Sequence, residues 1–191
     1  MVCRLECSKE AAIAADLSKL NPEFGAACRK LLERCARRGV EMRPNEGIRD
    51  PWKQAIYWRQ SRSIEEINRN IAKLRHESAI FIADILEEVG PQHGDTVTNA
   101  LPGASWHQWG LALDCFWLVN GAAEWSTTKK VNGINGYRLY ADQAEGLGLT
   151  AGGHWSSLKD WPHVQANGPS SPLGKYSWAE INAEMVRLYS T

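Results

Sequence analysis

The amino-acid sequence predicts one domain that mixes helices with short strands, and three observations lead to it. The 191 residues, 43% of them hydrophobic, are enough for one core and few for two. Apolar residues recur at helical spacing in several stretches. A short apolar run at 111–119, "LALDCFWLV", is closed by Asn120-Gly121, a dipeptide that favours tight hairpin turns.

The elements follow in order. Phe24, Cys28, Leu31, Leu32 and Cys35 form the apolar stripe of a helix that Gly39 stops, and Arg29, Lys30, Arg34, Arg37 and Arg38 form its solvated face. "GVEMR" reads as a short strand. A helix then begins at Pro51 with Asp50 as N-cap, which leaves Arg49 on the strand-to-helix loop. One long helix is predicted from Ser63, with a capping box completed by Glu66. Its stripe runs through Ile64, Ile67, Ile71, Leu74, Phe81, Ile82, Ile85 and Val89 to Gly90-Pro91. The turn-rich "QHGDTVTNALPGAS" leads into the hairpin that carries Asp114. "YADQAEGLG" predicts a short helix and "HVQ" a strand end. Ser177 and Glu180 cap a last helix through Ile181, Met185 and Leu188.

Composition excludes some functions. Lys plus Arg and Asp plus Glu are 22 each, so no global field draws the chain to nucleic acid or a membrane. No apolar run approaches the ~18 residues of a membrane span, and the start, with Glu6 and Glu10, does not read as a signal peptide. The expectation is therefore a protein made in the cytoplasm, monomeric and without stable membrane insertion. Five cysteines, Cys3, Cys7, Cys28, Cys35 and Cys115, lack metal-ribbon spacing and read as reduced thiols.

The chemistry concentrates in "SWHQWGLALD" at 105–114 and "GGHWSSLKDWPHVQ" at 152–165. A catalytic zinc takes three protein ligands from His, Asp, Glu or Cys and keeps an open position. His107, Asp114 and His163 supply such a set for one Zn2+ ion. A spacing of seven would put His107 and Asp114 on opposite faces of one straight strand, so His107 is expected on the loop before it. Asp160, three before His163, is left as general base for amide hydrolysis, since zinc lowers the pKa of bound water to about 7. Arg49 is the candidate for the developing oxyanion or for a substrate carboxylate, because its fork suits either anion. Ser105 is read either as a substrate contact or as a turn hydrogen bond. Trp106, Trp109, Trp155 and Trp161 flank the ligands; core packing accounts for most such tryptophans, and the alternative is an aromatic wall shaping a groove for a peptide or sugar. His76 and His93 lack such company, and His154 is set aside because three better ligands exist.

These residues resemble the zinc peptidases of the D-Ala-D-Ala carboxypeptidase and L-alanyl-D-glutamate endopeptidase family. "SWHQWGLALD" matches the family's Ser-x-His-(x6)-Asp motif, and "GGHWSSLKDWPH" is similar to its Gly-Gly-x-Trp segment leading to Asp-x-x-His. Upstream, Arg49 and Gln54 match its Gly-x-Arg with a Gln five positions on. The resemblance covers roughly 40–165, leaving helical flanks at both ends of a single domain over 1–191. It implies an α+β fold with a small antiparallel sheet carrying the zinc site, packed with several helices. It also implies that His107, Asp114 and His163 bind zinc, that Asp160 is the base, and that Arg49, Ser105, Gln54 and Trp155 serve the substrate. The implied substrate is the stem peptide of bacterial peptidoglycan. The expected activity is L-alanyl-D-glutamate endopeptidase, with D-Ala-D-Ala carboxypeptidase and a non-catalytic zinc-containing wall-binding module as alternatives. Without an evident signal or wall-binding repeat, the chain resembles a phage or prophage endolysin that reaches the wall after release.

Overall fold

A computed structural model describes residues 15–190. The signal-peptide reading and Cys3 and Cys7 lie outside the described residues. Among the described residues, six α-helices accompany one antiparallel sheet of five strands: β1 (Glu41–Glu46), β2 (Ala112–Val119), β3 (Ala122–Glu124), β4 (Thr150–Ala151) and β5 (His163–Gln165). The order is β1-β2-β5-β4, with β3 paired to β2 through the expected hairpin. Asn120 and Gly121 both take positive φ there, as a two-residue hairpin turn of this kind requires. The expected α+β class therefore stands.

Alternation along β2 decides which side chains reach the site. Leu113, Cys115 and Trp117 enter a core formed with α1 (Pro22–Arg37) and α5 (Gly136–Glu145). Asp114 consequently faces the opposite side of the sheet. In this core Cys28, Cys35 and Cys115 are buried free thiols, and burial pushes the first two up to about 12. They are protonated and inert at neutral pH.

A second core joins α2 (Pro51–Arg59), α3 (Ile64–His76), α4 (Ile80–Glu88) and α6 (Trp178–Tyr189) around Trp58, Leu74, Ile82, Leu86 and Ile181. The single long helix expected over 63–89 is here two helices. Ser78 adopts φ 61° and the amides of Glu77, Ser78 and Ala79 bond back to Lys73, Arg75 and Leu74, closing α3. Ala79 has no side chain to cap α4, and Asn182 of α6 does so instead by accepting from Ile82 N at 3.1 Å. Leu74 and Phe81 are two turns apart in phase, so the apolar stripe continues across the break and hides it. The capping box at Ser63 is half formed. Ser63 accepts from Glu66 N, while the Glu66 carboxylate pairs with Arg62.

Candidate metal centre

The sheet register brings the site together. Asp114 on β2 lies opposite His163 on β5 and opposite Glu46 at the end of β1, so three polar residues stand in one row across the sheet. His107 does precede the strand, but in an ordered position: it sits on a 3-10 turn, Trp106–Trp109, which Gly110 ends in a left-handed conformation. Ser105 caps this turn, and its Oγ accepts from His107 N at 3.4 Å, while Gln108 Oε1 accepts from Ser105 N at 3.2 Å. The turn hydrogen bond weighed for Ser105 is thus made, with the residue also lining the cleft.

The two histidines turn different nitrogens inward. His107 Nδ1 lies 2.7 Å from the Gly47 carbonyl, which can only accept, so Nδ1 carries the proton and Nε2 presents its lone pair 3.4 Å from Asp114 Oδ2. His163 Nδ1 lies 2.9 Å from Asp114 Oδ1, and its Nε2 lies 3.1 Å from Gln165 Oε1. One potential ligand atom from each of His107, Asp114 and His163 falls within 4.8 Å of the others. Two imidazoles and a carboxylate, backed by outer partners that orient the rings, form a donor set that suits zinc.

The electrostatics agree with a cation site. Burial works against the Asp114 carboxylate, but the facing His107 and His163 outweigh it and hold its pKa far below the usual carboxylate range. Burial likewise opposes charge on His163, yet its bond to Asp114 raises its pKa above 6.5. In the metal-free protein a proton therefore holds part of the place that a cation would take.

Asp160 stands on the cleft wall, largely exposed. Partial loss of hydration, and then the Asp114 charge, raise its pKa above the ordinary value. Its backbone is fixed from both sides, with Asp160 N donating to Gly152 O at 3.0 Å and Asp160 O accepting from His163 N at 3.2 Å. A Cβ on Gly152 would strike that same Asp160 carbonyl oxygen, and one on Gly153 would strike the Trp161 ring. The pair of glycines thus lets the "GGHW" segment lie against the "DWPH" segment.

Arg49 is held by Glu46, which accepts from Nε at 2.9 Å and also from Nη2, and by Gln54 Oε1, which accepts from Nη1 at 2.9 Å. Its Nη2 is 3.9 Å from Asp114 Oδ2. The guanidinium therefore offers its remaining Nη hydrogens to the cleft rather than its Nε edge. Gln54, expected to touch substrate, lies behind Arg49 instead, with no exposed surface. Its amide is filled by Arg49, by Gln108 Nε2 at 3.1 Å and by the Ala100 carbonyl at 2.7 Å. Trp155 lines the cleft, half-buried, its ring centroid 5.3 Å from that of His163. His154 is elsewhere, bridging Glu145 and Asp142 of α5 at 2.7 and 3.2 Å.

Two residues the motifs did not single out are part of this arrangement, Glu46 and Gln165. Strand alternation could have found Gln165, since a residue two beyond His163 shares its face. The cleft has a volume of about 560 Å3 and runs from Arg49 and Asp160 past Ser105 to Leu101, Ser171 and Trp178.

A family model described as D-alanyl-D-alanine carboxypeptidase matches residues 98–166. The peptidoglycan L-alanyl-D-glutamate endopeptidase CwlK of Bacillus subtilis (strain 168) is 33% identical over 75 residues, which is 38% of this chain and 45% of that protein. The aligned region thus spans a little under half the length of this curated relative. Among solved structures, the Serratia marcescens L-Ala D-Glu endopeptidase ChiX aligns with a TM-score of 0.43 and 18% identity, over 79% of this chain and 83% of that one. A vancomycin resistance D,D-pentapeptidase VanY variant in complex with Zn(II) aligns with a TM-score of 0.41 and 16% identity, over 88% and 78%. Residues 98–166, which carry His107, Asp114, Asp160 and His163, thus match the model described as D-alanyl-D-alanine carboxypeptidase, and a part of the chain is similar to an L-alanyl-D-glutamate endopeptidase.

Proposed function

We propose that this chain is a zinc peptidase that hydrolyses an amide bond in the stem peptide of bacterial peptidoglycan, the L-alanyl-D-glutamate bond in particular. The observation that carries the reading is the cluster of buried His107 and His163 with partly buried Asp114, beside the exposed Asp160, all lining one cleft. His107 Nε2, one Asp114 oxygen and His163 Nδ1 would hold one ion. Bound zinc supplies Lewis acidity, polarising a carbonyl and making water acidic enough to be deprotonated near neutral pH.

The protein's own groups do the rest. Asp160 takes a proton from the attacking water and returns it to the amide nitrogen as the C–N bond breaks. Its partial loss of hydration, the main cause of its raised pKa, makes it a stronger base than an ordinary carboxylate, which favours the first of these two transfers. Arg49, immobilised by Glu46 and Gln54, places a fixed positive charge at the cleft wall for a substrate carboxylate or for the charge developing on the carbonyl oxygen. Gln54 acts in this reading by positioning Arg49, while Trp155 and Ser105 border the bound peptide.

The rival within the same chemistry is a D-Ala-D-Ala carboxypeptidase, and mass spectrometry of digested peptidoglycan separates the two. New L-Ala carboxyl and D-Glu amino ends support the endopeptidase; free D-Ala alone supports the carboxypeptidase. Asp160→Asn should lower the rate by about 10²–10⁴-fold, the range of general acid–base catalysis, with zinc content unchanged. Full activity in that variant would remove Asp160 from the mechanism. Absence of any cleavage by the zinc-loaded wild type would leave a wall-binding module. The endolysin role belongs to this proposal too: cells making the protein should lyse only when a separate membrane-permeabilising protein is also produced.

A further inference from the structure

Resting on that reading, His163 can hold the ion only through the nitrogen that faces Asp114, and the choice of nitrogen is made by residues other than the three ligands. We propose that Gln165 is a positioning residue that fixes the tautomer and orientation of the His163 ring, and that the Pro169 carbonyl in turn dictates which way the Gln165 amide points.

Gln165 is 1% exposed, so both ends of its amide need partners within the protein. On one side, 2.8 Å from its Nε2, is the Pro169 carbonyl, which can only accept. The amide nitrogen must therefore face Pro169, and the amide oxygen must face His163 Nε2 at 3.1 Å. An oxygen there asks for a proton on Nε2, which leaves the Nδ1 lone pair directed at Asp114 Oδ1, 2.9 Å away. The flipped amide would set oxygen against the Pro169 oxygen and lose that bond, while offering an N–H to His163 Nε2 and so favouring the opposite tautomer; the Pro169 carbonyl is what selects between the two.

The Pro169 carbonyl is itself held in place. It accepts a second hydrogen bond, from Trp106 Nε1 at 2.8 Å, and Trp106 immediately precedes His107. Ser171 Oγ donates to the Ala104 carbonyl at 2.8 Å and ties the same loop to the segment before the turn. A chain of directed hydrogen bonds thus runs from His163 through Gln165 and Pro169 to the neighbour of His107. The outer partners of both histidines, Gly47 for one and Gln165 for the other, select opposite ring nitrogens for the same point in space.

Two variants of the full-length protein test this, read by competition for zinc with a chromophoric chelator. Gln165→Met removes the acceptor and should weaken zinc binding by about 10- to 100-fold, the usual cost of losing an outer partner of a ligand. Gln165→Glu keeps an acceptor for His163 Nε2–H but cannot donate to Pro169, and should stay within about threefold of wild type if the tautomer is what matters. A role confined to anchoring the 166–171 loop would impair both variants alike, and that outcome overturns the proposal. Zinc binding by Gln165→Met as tight as wild type overturns it as well. Ring 15N NMR of the zinc-loaded wild type gives an independent reading: a proton on His163 Nε2 is expected, and one on Nδ1 refutes it. Failure of the wild type to bind zinc at all would instead remove the functional reading, and this role with it.

Discussion

The sheet-centred core and the helical core are built by different rules. The first packs α1 and α5 on one face of the sheet and leaves the other face for Asp114, His163 and Glu46. The second, from α2, α3, α4 and α6, contributes none of the three clustered side chains, yet it holds Gln54 behind Arg49 and places Trp178 on the far side of the cleft. Strand pairing fixes neighbours residue by residue, so a one-residue slip would carry Asp114 out of the cluster. Helix packing tolerates small shifts and suits the broader task of making a wall. A division of labour follows, with chemistry on the paired strands and shape on the helices.

The largest expected effect breaks the helical side alone. Leu86, fully buried on α4, should cost about 2–5 kcal/mol on truncation to Ala through lost burial and the cavity left behind. Zinc affinity of the folded protein should nevertheless hold, as chelator competition well below the unfolding temperature would reveal. A parallel loss of zinc affinity would mean that the two cores are energetically one.

Gly152→Ala tests the other side, with a smaller cost in stability and a larger one in the site. The new Cβ would strike the Asp160 carbonyl oxygen, a backbone atom that cannot swing away, and that oxygen also accepts from His163 N. Overpacking of this kind costs about 1–3 kcal/mol. Zinc affinity and hydrolysis should both fall, because the displaced segment carries Asp160 and His163 together. If thermal unfolding and zinc affinity stay at wild-type values, the close approach of the two segments has no role in the site.

How far the sequence discloses each side differs for the same physical reason. Ligand chemistry is local in sequence, so "SWHQWGLALD" and "DWPH" could be read directly, as could the hairpin at Asn120-Gly121 and the cap at Ser177. The break at Ser78 could not, because seven residues from Leu74 to Phe81 preserve the helical phase and the cap for α4 comes from Asn182, a hundred residues away. The burial of Gln54 is hidden for a related reason. Its spacing from Arg49 is legible, but its burial depends on Gln108 and Ala100 closing over it from another part of the chain. Glu46 hides in the same way, since only the register of β1 on β2 sets it beside Asp114.

The smallest effect, and the most specific to the sheet side, is the pH dependence of zinc binding. Ligation needs a neutral His163, whereas Asp114 raises the affinity of that ring for a proton, so proton and zinc compete for one nitrogen. In the metal-free protein the His163–Asp114 pair stabilises the fold fully below 6.5, and this contribution is lost as pH rises through the higher folded-state value. Zinc binding must show the opposite trend. Affinity should fall as pH drops through that raised value, with His163 alone contributing about tenfold, or 1.4 kcal/mol, per pH unit below it, and this contribution should level off above it. Asp114 adds no step in this window, because its facing histidines keep it ionised well below the ordinary carboxylate range. Chelator competition from about pH 5.5 to 8.5 would show the bend lying above 6.5. A plateau that continues below 6.5 would mean that His163 does not give up a proton to the metal, and would cut it from the ligand set while leaving the fold of the sheet intact.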